Sequence, residues 1–107
     1  MDNKIEFFTD PCKNTYWFMG DDYHREDGPA IIWNNGDTEW FSHGKHHRLD
    51  GPAFEFINEP FNNEWWISGK CITQQIVPWA EENNIDLNNL SSSDKLLIKL
   101  VWADYGK

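Results

Sequence analysis

Through the first two thirds of the chain, apolar and aromatic positions fall in short runs of β-formers cut by Gly, Pro, Asn and Asp, and past residue 72 the spacing turns helical. Ile5-Glu6-Phe7-Phe8 closes on Thr9-Asp10-Pro11, which predicts a first or edge strand and a turn. Thr15-Tyr16-Trp17-Phe18-Met19 predicts a second strand, stopped at Gly20-Asp21-Asp22. Strands are next expected at Ala30-Ile31-Ile32-Trp33 and Ala53-Phe54-Glu55-Phe56-Ile57, each after a proline, which is tolerated at a strand's first residue. Asn34-Asn35-Gly36-Asp37 predicts a hairpin into Thr38-Glu39-Trp40-Phe41, because Asn-Gly suits a type I′ turn. The matching loop, Asn58-Glu59-Pro60-Phe61-Asn62-Asn63, is two residues longer and lacks the glycine, which predicts a looser hairpin.

The helical part predicts two helices. Thr73 is a cap candidate, and Pro78 leaves two starts for the first helix, one near Val77 with Pro78 in its first turn, which is preferred, and an earlier one with a kink. Residues 83–90 read as a connector. Ser91-Ser92-Ser93-Asp94 carries an S-x-x-D capping signature, and the last helix is expected to run to about Tyr105 with Gly106 as its stop. Leu97, Leu100 and Val101, widened by Leu96, Ile98 and Trp102, predict a helix largely buried against the sheet.

One motif organises the strands. HREDGPA at 24–30 returns as HRLDGPA at 47–53, matching at six of seven positions, 23 residues on. Asp-Gly is a turn pair, with glycine accepting positive φ and Asp bonding amides two residues on. Pro29 and Pro52 exclude helix and push Gly28 and Gly51 out of the helical region. A third unit begins at Trp66-Ile67-Ser68-Gly69-Lys70, parallel to Phe41-Ser42-His43-Gly44-Lys45, and never reaches a third motif.

The pattern W-x-x-G-K-x-H-R-x-D-G-P-A, with G-x-x-x-W after it, resembles a variant of the membrane-occupation-and-recognition-nexus (MORN) repeats over roughly residues 15–70. Gly44-Lys45-His46-His47-Arg48 followed by Asp50-Gly51 stands where that family has G-K-x-H-G-x-G, and the HRxDGPA form is similar to small proteins of bacteriophages and large DNA viruses. The resemblance implies β-hairpins stacked into an elongated antiparallel sheet. An array of two full units needs capping structure, and residues 73–107 are the candidate. The expected fold is therefore α+β: a single domain over 1–107, with a twisted antiparallel sheet of hairpin repeats over 1–72 closed by two C-terminal helices over 73–107.

Charge narrows the partners. Eighteen Asp and Glu against nine Lys and Arg give a net charge of −9, which argues against nucleic acid and against an anionic membrane, including the lipid contact associated with MORN-like repeats. The sequence has neither a secretory signal nor a spanning apolar stretch, so a cytoplasmic protein with reduced Cys12 and Cys71 is expected.

Candidate chemistry is thin. Arg25 and Arg48 are the only arginines, each beside a histidine and two residues before an aspartate. They are expected to pair with Asp27 or Asp50 or to stack on a tryptophan, making His24, Arg25, Asp27, Gly28, Pro29, His47, Arg48, Asp50, Gly51 and Pro52 a structural motif; ligand binding is the alternative. His24, His43, His46 and His47 with the two cysteines lack the short paired spacings of structural zinc. The serines at 91–93 have no adjacent base and neither cysteine has a histidine partner in sequence, so no enzyme, metal or cofactor is expected. Seven tryptophans exceed what a small core hides, and Trp17, Trp33, Trp40, Trp65 and Trp66 are candidate binding anchors. The expected function is a non-enzymatic protein-interaction module, a small viral or phage accessory protein that inhibits or redirects a host defence protein. The alternatives are an acidic nucleic-acid mimic and a self-associating structural subunit.

Overall fold

The computed structural model describes residues 4–105, so Gly106, the expected helix stop, lies outside the described residues. In chain order the elements are β1 (Ile5–Thr9), β2 (Thr15–Met19), β3 (Asp22–Tyr23), β4 (Ile31–Ile32), β5 (Thr38–Glu39), β6 (Phe41–Ser42), β7 (Lys45–His46), β8 (Phe54–Glu55), a 3-10 turn (Pro60–Asn62), β9 (Trp66–Ile67), β10 (Lys70–Cys71), α1 (Thr73–Glu82) and α2 (Ser92–Trp102). The architecture is α+β, with antiparallel hairpins followed by two C-terminal helices.

Six strands join in one sheet, β1-β2-β4-β5-β8 with β3 also on β2, while β6–β7 and β9–β10 form separate two-stranded hairpins. Three tryptophans mark where the strands change ladder. Thr15 and Tyr16 of β2 pair with β4, whereas Phe18 and Met19 pair with β3, so the strand changes ladder at Trp17. The run from β5 to β6 breaks in the same way at Trp40, and Glu64, bridged to Phe54, leads through Trp65 into β9. At each junction the backbone bonds recur. Trp17 N–H donates to the Ala30 carbonyl and Trp40 N–H to Ala53, and the carbonyls of Trp17, Trp40 and Trp65 accept from His24, His47 and Ile72. Successive hairpins are tied by Arg25 N–H to Phe41 O and Gly44 N–H to Tyr23 O, then by Arg48 N–H to Trp66 O and Gly69 N–H to His46 O.

The strands after the motif are shorter than expected. β4 and β8 hold two residues each: after Ile32 the Trp33 N–H to Asp37 carbonyl bond already closes the hairpin, and after Glu55 the Phe56 N–H goes to the Asn63 side chain. The Asn34-Asn35-Gly36 loop is not type I′. Gly36 has φ 98° but Asn35 is not at positive φ, and Gly36 N–H bonds the Trp33 carbonyl, giving a type I turn closed by a left-handed glycine. Side-chain bonds hold it there, Asn35 Oδ1 accepting from Asp37 N–H and Asn14 Oδ1 from Asn34 N–H. The two-residue turns with both φ positive are His43-Gly44 (50° and 81°) and Ser68-Gly69 (49° and 81°). The longer 58–63 loop is shaped by its 3-10 turn.

The apolar core lies at the C-terminal end: Trp65, Ile67, Ile72, Ile76, Ile98 and Trp102, with Leu49, Trp79, Leu87 and Leu90 packed on it. It explains why α1 begins at Thr73 and not near Val77. Ile72, Ile76 and Ala80 fall on one helical face, and burying them outweighs the hydrogen bond that Pro78, inside the helix, fails to give the Gln74 carbonyl. Thr73 does not cap it; its hydroxyl accepts from Trp65 N–H. α2 starts as expected, with Ser91 and Asp94 in a reciprocal capping box, and ends at Trp102, short of Tyr105. Its burial is far narrower than expected. Only Ile98 and Trp102, one turn apart, enter the core. Leu96, Leu97, Leu100 and Val101 are 59%, 38%, 74% and 49% exposed, because a helix at the edge of so small a core buries one row of side chains.

Candidate functional site

The motif is a polar arrangement built the same way twice. Arg25 Cζ lies 4.0 Å above the Trp17 ring, its Nε donates to Asp27 (3.0 Å) and its Nη1 to the Pro29 carbonyl (3.1 Å). Arg48 Cζ lies 3.9 Å above Trp40, with Asp50 at 2.8 Å and the Pro52 carbonyl at 3.1 Å, and adds Glu55 at 2.6 Å. Each arginine therefore both pairs with its aspartate and stacks on a tryptophan. The prolines serve through their carbonyls. The aspartates bond guanidinium and not an amide two residues on, and neither Gly28 nor Gly51 is at positive φ. The glycines instead make room, since a Cβ would stand 2.8 Å from Arg25 Cζ or 2.6 Å from Arg48 Cζ.

The histidines face forward along the array. His24 Nδ1 accepts from His43 N–H (2.9 Å) and His47 Nδ1 from Ser68 N–H (3.0 Å), so each holds the left-handed residue of the next turn. A non-glycine residue there costs about 1–2 kcal/mol, which this bond helps offset. Burial pushes the His47 imidazole below its usual 6.5. Asp50 is raised by burial, but its hydrogen bond and charge pairing with Arg48, helped by Lys99, outweigh this and hold it below 3.8. The one motif position that differs faces different surroundings: Glu26 is exposed, while Leu49 packs on the core.

The five candidate tryptophans are not one surface. Trp65 is 3% exposed and belongs to the core, which removes it as an anchor. Trp17 and Trp40 lie beneath the arginines, while Trp33 Nε1 donates to Glu39 (2.7 Å) and Trp66 Nε1 to Glu64 (2.9 Å). These four are half-buried. Sequence reasoning missed Glu39, buried between Trp33 and His46 (2.8 Å), because a carboxylate inside a sheet has no local signal. It also missed the cleft between the two motif copies, where Lys99 of α2 joins residues some 50–75 positions earlier. Its clue was the doubling of a histidine beside an arginine.

Cys12 and Cys71 are free and exposed. Among the described residues no group of three or more His, Cys, Asp and Glu is arranged to hold a metal ion, and no helix is long and apolar enough to cross a membrane. Fold and motif define the chain as a hairpin-repeat α+β protein with a helical cap. No protein-family model, no curated protein and no solved structure matches it.

Proposed function

We propose that the chain is a non-enzymatic protein-binding module that docks through the outer face of α2. The supporting observation is the exposure of Leu96, Leu97, Leu100 and Val101, which form one two-turn stripe on the side away from Ile98 and Trp102. A helix apolar on both sides is normally covered on both, and an exposed patch of this kind marks an interaction surface. The mode is an amphipathic helix entering an apolar groove. The tryptophans are assigned no part in it, since their rings are engaged within the chain.

The HRxDGPA resemblance points to a phage or viral accessory protein, a MORN-like array whose partner is a host protein that it inhibits or redirects in the cytoplasm. The net charge of −9 favours a groove with a basic rim. Self-association is a second reading, favoured by β1: it is the edge of the sheet, and Phe7 and Phe8 on it are 67% and 56% exposed.

The test combines sedimentation of the protein alone with capture from host lysate in low and high salt. A monomer that retains one host protein at high salt, lost in Leu97→Glu/Leu100→Glu but kept in Phe7→Ser/Phe8→Ser, supports the docking face. A dimer broken by the β1 substitutions establishes self-association instead, and capture of nucleic-acid-binding proteins released by salt establishes mimicry.

A further inference from the structure

A cleft lies between the two motif copies. Its volume is about 330 Å³, and His24, Arg25, Trp40, Arg48 and Lys99 are among its walls. His24 is 3% exposed. Its Nδ1 takes the His43 N–H, which leaves the ring proton on Nε2, and that N–H has no hydrogen-bond partner. Glu26 Oε1 stands 3.6 Å from it, beyond hydrogen-bond reach. A buried donor left without an acceptor is costly, so an oxygen placed here by a ligand removes that penalty. The Nε1–H of Trp40, a residue that also lines the cleft, is likewise buried and unpartnered.

The cleft is rich in donors. Arg25, Arg48 and Lys99 line it beside Glu26 and Asp50, and Asp27 and Glu55 pair with the arginines, so its charges are close to balanced and the donors decide what it takes. Nε and Nη1 of both arginines are occupied inside the motif, which leaves Nη2 to reach a ligand. Guanidinium, a neutral imidazole N–H and an ammonium together form a donor set for an oxyanion. We propose that this cleft binds a small oxyanion, a carboxylate or a phosphate, with His24 Nε2–H as its buried donor and Arg25, Arg48 and Lys99 as its charges.

The experiment follows the His24 ring nitrogens of the full chain in long-range proton–nitrogen spectra. Sodium phosphate or sodium acetate is added at constant pH, with sodium chloride at equal ionic strength as control. A saturable shift at His24 Nε2 with phosphate or acetate, absent with chloride, is the expected result, and the anion that saturates identifies the source. Lys99→Gln, on an exposed residue, should weaken that binding about two- to fivefold. His24→Asn keeps an acceptor for His43 N–H while removing the Nε2 donor; there the saturable shifts of neighbouring amides should vanish. Linear shifts equal to those with chloride overturn the proposal. So does saturable binding that both variants leave unchanged, and Lys99→Gln alone decides the matter if His24→Asn does not fold.

Discussion

Gly51 shows how a residue can be conserved between the two copies of a repeat for a reason its type does not announce. It is not at positive φ, and what it provides is a surface without Cβ on which the Arg48 guanidinium lies. Gly51→Ala should drive that guanidinium off Trp40 or off Glu55, lowering the unfolding free energy by about 1–3 kcal/mol in urea denaturation. His47 predicts a pH dependence. Its folded-state pKa is below the usual 6.5 because burial disfavours the charged ring, so the unfolded chain takes up the proton first. That contribution is complete above pH 6.5 and is lost as pH falls through the folded value. Asp50, held below 3.8 by Arg48 against the effect of burial, extends the loss under pH 3.8. The urea midpoint should therefore fall as pH drops below 6.5, and His47→Asn should flatten that portion while leaving the one under pH 3.8.

Among the elements, the end of the array is the instructive case. Trp17 and Trp40 give their N–H groups to the carbonyls of Ala30 and Ala53, but Trp65 has no following strand. Ile72 replaces the third histidine, placing an apolar side chain in the core, and Thr73, in the arginine's place, accepts the Trp65 N–H at 2.9 Å while opening α1. Thr73→Val keeps the shape and leaves that N–H unpaired. The expected outcome is a loss of about 1–3 kcal/mol, with hydrogen exchange at the Trp65 amide accelerated more than at Trp40. Strand and helix identities were readable because β-branched and aromatic runs, Gly-Pro breaks and the Ser91 box act locally. Their limits were not: whether Pro78 lies inside or at the start of α1 depends on what Ile76 and Ala80 pack against.

For the protein as an assembly, the C-terminal core and the N-terminal array are held by different forces. Burial of Trp65, Ile67, Ile72, Ile76, Ile98 and Trp102 stabilises one end, whereas the other relies on backbone ladders and a chain of rings, Tyr16, Tyr23, Phe41, His46 and Trp66, at centroid separations of 4.1–6.1 Å. The apolar surface left over is then set by geometry. An α2 that touches the core along one row has four aliphatic side chains outside it, and a helical wheel drawn without the core counts them as buried. The repeat, the places of the hairpins and the Ser91 helix cap follow from the order of residues alone, since each is a matter of periodicity, missing N–H groups or spacing within a few positions. Which tryptophan is core and which lies under an arginine, why the motif needs glycine, and how His24 and Lys99 come to share a cleft were settled by packing. Those are contacts across tens of residues, and local preference carries no information about them.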